Sequence, residues 1–249
     1  MAGPTTEIGL ESGALLPDPL FMSLPPVSFV PTPIGNLGDI TRRAVEVLQH
    51  VDLIACEDTR HSRKLLRHLD IEKPLVSLHD HNERRRTPGL LAKAKAGAAI
   101  AVISDAGTPC LSDPGYLLLR ACREAGVPFQ VLPGPSAILP ALLSSGFPPY
   151  PFTFGGFLPY KKGKRSKELR AALDRAHTSV FFESPHRLIS TLEILRDLDS
   201  NALICITSEL TKKFEKIYSN TAPNLLAIFT DQPPRGELAI VIAPNSPPP

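Results

Sequence analysis

Short apolar runs rich in Val, Ile and Leu recur along the chain, each followed by Gly, Pro or polar residues and then by an amphipathic stretch. In the first half these runs are Val27–Val30, Asp52–Cys56, Pro74–Leu78, Ala99–Ile103 and Pro128–Leu132. Strands that alternate with helices in this way are typical of a parallel sheet covered by helices. The pattern therefore predicts an α/β fold for this half of the chain.

The pattern restarts after the linker-like segment Pro148–Phe152. It predicts further strands at PFTF, SVFFE, ALICIT and GELAIVIAP, a basic loop that enters a helix at Tyr160–Arg170, and a polar loop after ALICIT. The fold class predicted for the whole chain is α/β, with two small domains and mostly parallel sheets, at 27–147 and 148–244. Such domain pairs usually bind a ligand in the cleft between them. Residues 1–26 are expected to be a disordered extension and 245–249 a tail.

Composition narrows the classes of protein without selecting a function. Hydrophobic residues make up 43% and charged residues 21% of the 249 residues, and the net charge is +2, so a nucleic-acid partner would have to be bound by local basic patches. The four cysteines form no CxxC pair, and no apolar run is long enough to span a membrane. Residues 1–26 resemble neither a secretory signal nor a transit peptide, and we expect a cytoplasmic protein.

The segment Val102–Gly115, VISDAGTPCLSDPG, is the first candidate for a binding site. It follows a predicted buried strand and carries Asp105 and Asp113 together with two glycines. Ligands of open α/β sheets bind at the carboxyl ends of strands. The alternative is a tight turn whose Asp and Ser residues only cap a helix. The Gly-containing segment Pro31–Asp39 follows the first strand in the same way, with Thr41 or Asp39 as the expected cap of the next helix.

Two further strand ends carry polar residues. Asp58 and its neighbours precede a helix with a basic face, where the alternatives are an ion-pair network that fixes the loop and a surface for a phosphate backbone. His79, His81 and Glu83 follow another strand, and we favour substrate contacts or capping over metal binding because no further ligands converge on them. No metal is predicted.

Several long motifs together resemble one family: PTPIGNLGD, ACEDTRHSRKLLRHL, SDAGTPCLSDPG, LPGPSA, FGGFLP, FFESPHRL and SELTKKFEKI. They are similar, in order, to the bacterial 16S ribosomal RNA cytidine 2′-O-methyltransferases, which belong to the tetrapyrrole-methylase-like (class III) S-adenosylmethionine methyltransferases. The resemblance implies a homodimer that binds S-adenosylmethionine between its two domains. It also implies methylation of the ribose 2′-hydroxyl of a cytidine in the small ribosomal subunit, at position 1402 of the 16S RNA.

The resemblance assigns the cofactor to the loops after three strands. The residues expected to bind it are Pro33, Gly35, Asp105, Ala106, Gly107, Thr108, Pro109, Ser112, Asp113, Pro133, Gly134, Pro135, Ser136 and Ala137. The PTPIGNLGD loop differs from the GxGPGD loop of the porphyrin-methylating relatives, which favours an RNA substrate.

A ribose hydroxyl is a weak nucleophile, so a nearby proton acceptor is expected to assist methyl transfer. The unranked candidates for it are Asp58, Glu83, Asp105, Glu183 and Glu209. The residues expected to contact RNA are Arg60, Arg63, Lys64, Lys161, Lys162, Lys164, Arg165, Arg187, Lys212 and Lys213, with Arg187 equally suited to an interdomain ion pair. Phe154, Phe157, Tyr160 or Phe182 would stack on a base, Phe182 being the one favoured for the core.

Two other functions remain open at this point. One is a small-molecule methyltransferase of the tetrapyrrole type on the same fold, and the other is a cofactor-binding ribosome-assembly factor without turnover. Many relatives carry a further helical segment beyond the position of GELAIVIAP. If that segment binds RNA, the affinity here is expected to come from Tyr160–Arg170, Arg60–Arg67 and Arg84–Arg86.

Overall fold

The computed structural model describes residues 24–245, which form two five-stranded sheets with their helices. We refer to residues 24–147 as the N-terminal half and to 148–245 as the C-terminal half. The disorder predicted for 1–26 and for the tail falls almost wholly on 1–23 and 246–249, which lie outside the described residues.

The sheet of the N-terminal half is entirely parallel, with strand order β3-β2-β4-β1-β5. Its strands are β1 (Val27–Phe29), β2 (Leu53–Cys56), β3 (Leu75–Ser77), β4 (Ile100–Ile103) and β5 (Phe129–Val131). The helices are α1 (Arg42–His50), α2 (Thr59–His68), α3 (Glu83–Lys95), α4 (Tyr116–Glu124) and α5 (Ile138–Ser144). The parallel sheet predicted from the apolar runs is thereby confirmed.

Helices cover both faces of this sheet. On one face α1 and α2 pack through Leu48 and Leu66, and on the other α3 and α4 pack through Leu90 and Leu118. Strands buried on both faces read as continuous apolar runs, which is why the sequence identifies them well. Thr41 caps α1 by accepting a hydrogen bond from the Ala44 N–H at 3.1 Å, as the sequence predicts.

The C-terminal half contains β6 (Phe152–Phe157), α6 (Lys162–Leu173), β7 (Thr178–Glu183), α7 (Pro185–Leu198), β8 (Leu203–Ser208), β9 (Lys216–Thr221), α8 (Ala222–Asp231) and β10 (Leu238–Ile242). Its strand order is β6-β7-β10-β8-β9, and only β6 and β7 pair in parallel. The expectation of a mostly parallel sheet is therefore wrong for this half. β8 turns directly into β9 without a helical crossover, and β10 inserts antiparallel between β7 and β8.

The second sheet has helices on one face and the N-terminal half on the other. Residues of β7, β8 and β10 alternate between these faces: Phe181 packs under the helices, whereas Val180 and Val241 pack against α5. Ile34 from the loop after β1 joins the same cluster. The two halves thus share an apolar core, which fixes the second sheet against the edge where the strands of the first sheet end.

Three elements differ from their predictions. The sequence pattern predicts no helix after β3, but this segment contains α3, whose apolar period is obscured by Pro88 inside it and by three consecutive arginines. β9 was also expected as loop, because it is an edge strand with mostly exposed polar residues. The PGPSA segment, 133–137, predicts the opening of a helix, whereas α5 begins at Ile138; Ser136 does accept a hydrogen bond from the Ile138 N–H.

Candidate active-site cleft

A cleft of about 310 Å³ lies between the two halves. Because the strands of the first sheet are parallel, the loops after β1, β4 and β5 all leave the same edge. The opposite wall comes from the end of β7, the turn after β8 and the start of β10. The lining residues are Ile34, Ala106, Gly107, Thr108, Leu111, Ser112, Asp113, Ser136, Ala137, Ile138, Phe157, Phe182, Glu183, Ser184, Pro185, Thr207, Leu210, Gly236, Glu237, Leu238 and Ala239.

The loops of the N-terminal wall are tied to each other by short hydrogen bonds. Thr32 and Gly107 exchange two backbone hydrogen bonds of 2.9 Å each, which join the loop after β1 to the loop after β4. Thr108 Oγ1 donates a hydrogen bond to the Pro135 carbonyl at 3.0 Å, which joins the loop after β4 to the loop after β5. Gly107 has φ +78°, a conformation that favours glycine, and a Cβ there would press on Ile34. The wall is therefore held in place before any ligand binds.

Glu83 fixes the second part of the loop after β4. Its buried Oε1 accepts hydrogen bonds from the N–H groups of Gly115 at 2.9 Å and Leu117 at 2.8 Å. Gly115 has no side chain to cap α4, so Glu83 supplies the cap from the start of α3. Glu83 was a candidate proton acceptor, but the structure places it beneath the loop, outside the cleft lining. Its carboxylate thus acts on the loop that carries Ser112 and Asp113.

Four carboxylates lie close together at the loop after β4: Glu57, Asp80, Asp105 and Asp113. Burial, followed by repulsion from Glu57, Asp105 and Asp80, raises the pKa of Asp113 to about 7. Burial, followed by repulsion from Asp105, also raises the pKa of Glu57. Of the four, Asp113 lines the cleft. The N-terminal wall is therefore electronegative and favours a cationic ligand.

The other two candidates from the first sheet are engaged in local contacts. Asp58 caps α2 through the Arg60 N–H at 2.7 Å and forms an ion pair with the Arg60 guanidinium at 3.2 Å. Those hydrogen bonds lower the pKa of Asp58. Asp105 accepts a hydrogen bond from the Asp58 N–H at 3.1 Å. The ion-pair alternative of the sequence analysis is what the structure shows for Asp58 and Arg60.

Glu183 lines the cleft, but its oxygens are occupied within the C-terminal half. Oε1 accepts from Arg187 at 2.5 Å and from the Ser184 N–H at 2.7 Å, and Oε2 accepts from Thr191 at 2.6 Å. Arg187 also donates to the Leu158 carbonyl at 3.0 Å. Arg187 thus forms an ion pair within one half, rather than between the two. The pair links the end of β7 to the segment after β6.

The turn after β8 carries another ion cluster at the rim of the cleft. Lys212 Nζ donates to Glu209 Oε1 at 2.9 Å and to Glu237 Oε2 at 3.0 Å. Burial opposes ionisation of Glu209, but hydrogen bonds from the Glu237 N–H and from Lys212 lower its pKa. Glu209 (φ +53°) and Thr211 (φ +65°) both adopt left-handed conformations. Such backbone conformations in residues with a Cβ persist only where surrounding contacts hold them.

The same turn contacts the loop after β1 across the cleft. The Asn36 N–H donates to Thr211 Oγ1 at 3.1 Å. The aliphatic chain of Lys212 packs on Gly35 so closely that a Cβ there would overlap it. We call this contact between residues 35–36 and 211–212 the clasp. Lys212 was predicted to contact RNA, but in the structure it holds the two halves together.

Half of the predicted cofactor residues line the cleft: Ala106, Gly107, Thr108, Ser112, Asp113, Ser136 and Ala137. The other half are not among its lining residues: Pro33, Gly35, Asp105, Pro109, Pro133, Gly134 and Pro135. Gly236–Ala239 at the start of β10 also line the cleft, although the sequence does not predict them. The carboxyl ends of parallel strands are the expected binding positions, whereas β10 is antiparallel and enters the cleft with its first residues.

The predicted RNA contacts divide according to exposure. Arg165 is 4% exposed, and its guanidinium donates to the Pro159 and Tyr160 carbonyls and to Ser190. It lies on the inner face of α6, which the run of basic letters does not reveal. The predicted contacts with exposed side chains are Arg60, Arg63, Lys64, Lys161, Lys162, Lys164 and Lys213.

Among residues 24–245, no group of three or more His, Cys, Asp or Glu side chains is arranged to hold a metal ion, and the four cysteines are free. In this part of the chain no helix is long and apolar enough to cross a membrane.

Comparison with known proteins identifies the family. The profile of the family described as Tetrapyrrole (Corrin/Porphyrin) Methylases matches residues 26–226. The chain belongs to this family of methylases. Within it, the chain is 48% identical over 219 residues to "Ribosomal RNA small subunit methyltransferase I" of Synechocystis, which covers 88% of this chain and 78% of the relative. A protein of the same name from Bacillus subtilis is 42% identical and covers 86% of this chain and 73% of its own length.

Solved structures of other proteins share the fold. Diphthine synthase superimposes with a TM-score of 0.65 at 16% identity, covering 87% of this chain and 89% of its own. The uroporphyrin-III-C-methyltransferase of Thermus thermophilus has a TM-score of 0.62 at 21% identity. The superposition covers 87% of this chain and 93% of the methyltransferase. These likenesses establish the two-unit α/β architecture.

S-adenosyl-L-methionine is the cofactor of this methylase family, and the cleft has the chemistry to hold it. Its walls combine apolar side chains such as Ile34 and Ile138 with the backbone of Ala106–Thr108 and the hydroxyls of Ser112 and Ser136. The electronegative N-terminal wall complements the sulfonium and ammonium charges of this cofactor. The residues present therefore fit the group.

Proposed function

We propose that this protein methylates the ribose 2′-hydroxyl of a cytidine in the 16S RNA of the small ribosomal subunit, the target at position 1402 that the sequence resemblance implies. The observation that carries the proposal is 48% identity over 88% of the chain to a relative named for small-subunit ribosomal RNA. At this identity over two whole α/β units, the chemistry of the cleft is expected to be shared. The exposed basic residues around the cleft support an RNA substrate rather than a tetrapyrrole.

When bound, S-adenosylmethionine supplies a methyl group on a positively charged sulfur. The protein's contribution is to orient the cofactor and hydroxyl in line and to exclude water. Ala106–Thr108 and Ser136–Ile138 form one wall of the binding site and Gly236–Ala239 the other. The hydrogen bonds between Thr32 and Gly107 keep the first wall in position, so little has to reorganise when substrates bind.

Asp113 is the best placed proton acceptor. Three carboxylates line the cleft, and two of them form ion pairs, Glu183 with Arg187 and Glu237 with Lys212. Asp113 has no ion-pair or hydrogen-bond partner within residues 24–245, so its oxygens remain free to accept the hydroxyl proton. A carboxyl with a pKa of about 7 suits a general base that works near neutral pH. In this role Asp113 replaces the five carboxylates singled out from the sequence.

The exposed basic residues that would contact RNA follow strands of both halves. Arg60 begins α2 and Arg84–Arg86 begin α3, and both helices follow strands of the parallel sheet that end at the edge of the cleft. Lys161–Lys164 follow β6, whose last residue, Phe157, lines the cleft from the other half. Basic groups therefore flank the cleft on both halves, which supports binding of a phosphate backbone across it.

We also infer that two copies of the chain associate. Leu139 and Leu143 lie one turn apart on α5 and are 54% and 65% exposed, and Val131 on the edge strand β5 is 50% exposed. An apolar surface of this kind is typical of an interface rather than a solvated face. Light scattering is expected to give twice the chain mass for the wild-type protein and less for Leu143→Arg. An unchanged mass for Leu143→Arg would exclude this face.

The proposal is tested by transfer of labelled methyl from S-adenosylmethionine to small ribosomal subunits from cells that lack this modification. The modified nucleotide is then mapped by nuclease digestion and mass spectrometry. We expect label on the ribose of one cytidine. Label on a base, or incorporation into a porphyrinogen but not into subunits, would contradict the proposal and favour a small-molecule methylase. Cofactor binding without transfer to either substrate would favour an assembly factor.

A further inference from the structure

The end of β6 contains an extra residue at the point where it reaches the cleft. Phe154 pairs with Val180 of β7, and Phe157 pairs with Phe182, so three steps on β6 match two on β7. In a regular strand, side chains three residues apart point to opposite faces. The extra residue shifts the alternation of side chains along β6 by one position. Phe157 therefore lies on the same face as Phe154, which is the face turned toward the cleft.

Two glycines make this bulge possible. A Cβ on Gly155 would overlap the ring of Phe181, which is fully buried beneath it. Gly156 has φ +68°, and a Cβ there would lie 3.2 Å from Ser112 Oγ on the opposite wall of the cleft. The sequence FGGF thus places the backbone against both the core and the other half, and leaves Phe157 at the cleft.

The ring of Phe157 is supported on its inner side and free on its outer side. Phe182 lies 5.4 Å away between ring centroids, and Phe154 supports Phe182 in turn at 5.0 Å. Nevertheless Phe157 is 57% exposed while lining the cleft. A large aromatic side chain held in place by two others, but left half uncovered within a binding cleft, has the form of a stacking platform.

We propose that Phe157 is the platform on which the target nucleobase stacks when its ribose enters the cleft. This inference rests on the proposed function and names the residue that positions its RNA substrate. Single-stranded bases stack readily on an aromatic ring, because every base has a π face. The exposed Lys161, Lys162 and Lys164 follow Phe157 within seven residues, where they would hold the adjoining phosphates.

The other aromatic candidates from the sequence are less suited to this position. Phe182 and Phe154 are mostly covered, because they form the support behind Phe157. Tyr160 is exposed, but it is not part of the cleft lining, and the Arg187 guanidinium lies 5.9 Å from its ring centroid. The platform role therefore falls to Phe157.

The test compares Phe157→Leu, which keeps an apolar side chain, with Phe157→Trp, which keeps a π face. We expect Phe157→Leu to lower kcat/KM for small ribosomal subunits about tenfold or more, mainly through a higher KM for the subunits. Phe157→Trp is expected to stay within about threefold of wild type, since its ring preserves stacking. Both variants should bind S-adenosylmethionine with unchanged affinity in calorimetry. Tyr150→Ala, at an exposed aromatic residue outside the cleft lining, serves as the matched control.

Two results would overturn the inference. If Phe157→Leu has the kinetics of wild type, the ring does not contact the base. If the affinity for S-adenosylmethionine falls in Phe157→Leu, the ring packs on the cofactor instead. Failure of the proposed function itself is distinguished by the wild-type protein, which would then leave subunits unmethylated while still binding the cofactor.

Discussion

Glu83, Glu183 and Asp113 are carboxylates close to the same cleft, and their different partners give them different roles. Glu83 accepts two backbone N–H groups and Glu183 pairs with Arg187, so their charges are compensated where they are buried. Asp113 has only other carboxylates nearby, and its pKa rises to about 7. A partly buried carboxyl group without a partner lowers stability, and such groups are typical of functional sites.

Asp113→Asn is expected to make the cofactor-free protein more stable at pH 8 by about 1–2 kcal/mol, allowing for solvent screening. The folded-state pKa of about 7 exceeds the ordinary value of about 4. Between these values the folded state holds a proton that the unfolded state has lost, so wild-type stability falls as pH rises from about 4 to about 7. Asn does not titrate, and urea unfolding should therefore give a difference that disappears near pH 4. A difference that is the same at both pH values would contradict this assignment of the pKa.

Asp113→Asn is also expected to reduce kcat for RNA methylation about a hundredfold, in the range of general-base contributions. Wild-type kcat/KM should rise with pH up to about 7 and then level off, because only the ionised carboxylate accepts a proton, and the variant should lose this dependence. Asp105→Asn provides the comparison, since Asp105 belongs to the same acidic group but lies outside the cleft lining. A pH profile that survives in Asp113→Asn would exclude Asp113 as the base.

Glu83→Ala is expected to destabilise the protein by about 2–4 kcal/mol, because it leaves two N–H groups without an acceptor in a buried position. Glu83→Gln retains a side-chain oxygen that can accept from these N–H groups, so it should lower the stability by less than Glu83→Ala does. Calorimetry should also show weaker S-adenosylmethionine binding in Glu83→Ala, since the loop with Ser112 and Asp113 loses its anchor. Glu124→Ala, which removes an exposed ion pair of α4, is the control. Wild-type stability in Glu83→Ala would refute the capping role.

At the scale of elements, the clasp links the loop after β1 to the turn after β8. Thr211→Val removes the acceptor of the Asn36 N–H with little change in volume, and Lys212→Met removes the charge shared by Glu209 and Glu237. We expect both variants to release S-adenosylmethionine faster, about threefold to tenfold in stopped-flow experiments, because one end of the cleft opens more easily. Lys216→Met, on the exposed edge of β9, should leave the rate unchanged. Equal rates in all three variants would mean that the clasp does not control cofactor release.

The sequence predicts strands and helices well where burial produces a continuous apolar run or a regular apolar period, and poorly elsewhere. β1, β2 and β4, the inner strands of the first sheet, are covered on both faces and appear as apolar runs. α3 was missed because Pro88 and three arginines interrupt its period, and β9 because an exposed edge strand carries few apolar residues. The loops after β4 and β5 were found from their Gly, Pro and Asp content. The contribution of β10 to the cleft could not be found, since strand direction in a mixed sheet is set by long-range pairing.

Across the whole molecule, exposed basic residues follow β2, β3 and β6, although the net charge is only +2. The double variant Lys161→Glu/Lys164→Glu is expected to weaken binding of small-subunit RNA at least tenfold in low salt. It should also reduce the slope of log K against log salt by about one to three, because fewer phosphate contacts release counterions. The control Lys93→Glu/Lys95→Glu makes the same charge change at the C-terminal end of α3, and it should have little effect on RNA binding. Equal losses in both double variants would mean that only overall charge matters.

The shared core between the halves makes the cleft a fixed feature of the fold. Val180 and Val241 of the second sheet pack against α5 and Ile34 of the first half. The walls of the cleft therefore keep their spacing without a ligand. This arrangement explains how residues from distant parts of the sequence, such as Ala106 and Ala239, meet in one site.

Methyl transfer to small ribosomal subunits by the wild-type protein and by Ala106→Phe is the most direct test of whether the cleft is the active site. Ala106 lines the cleft and is only partly buried, so a larger side chain there fills the binding space with little disturbance of the core. We expect the wild-type protein to label one cytidine ribose and Ala106→Phe to lose this labelling, while its melting temperature in the absence of cofactor stays unchanged. Equal labelling by a folded Ala106→Phe variant would show that the reaction takes place outside this cleft.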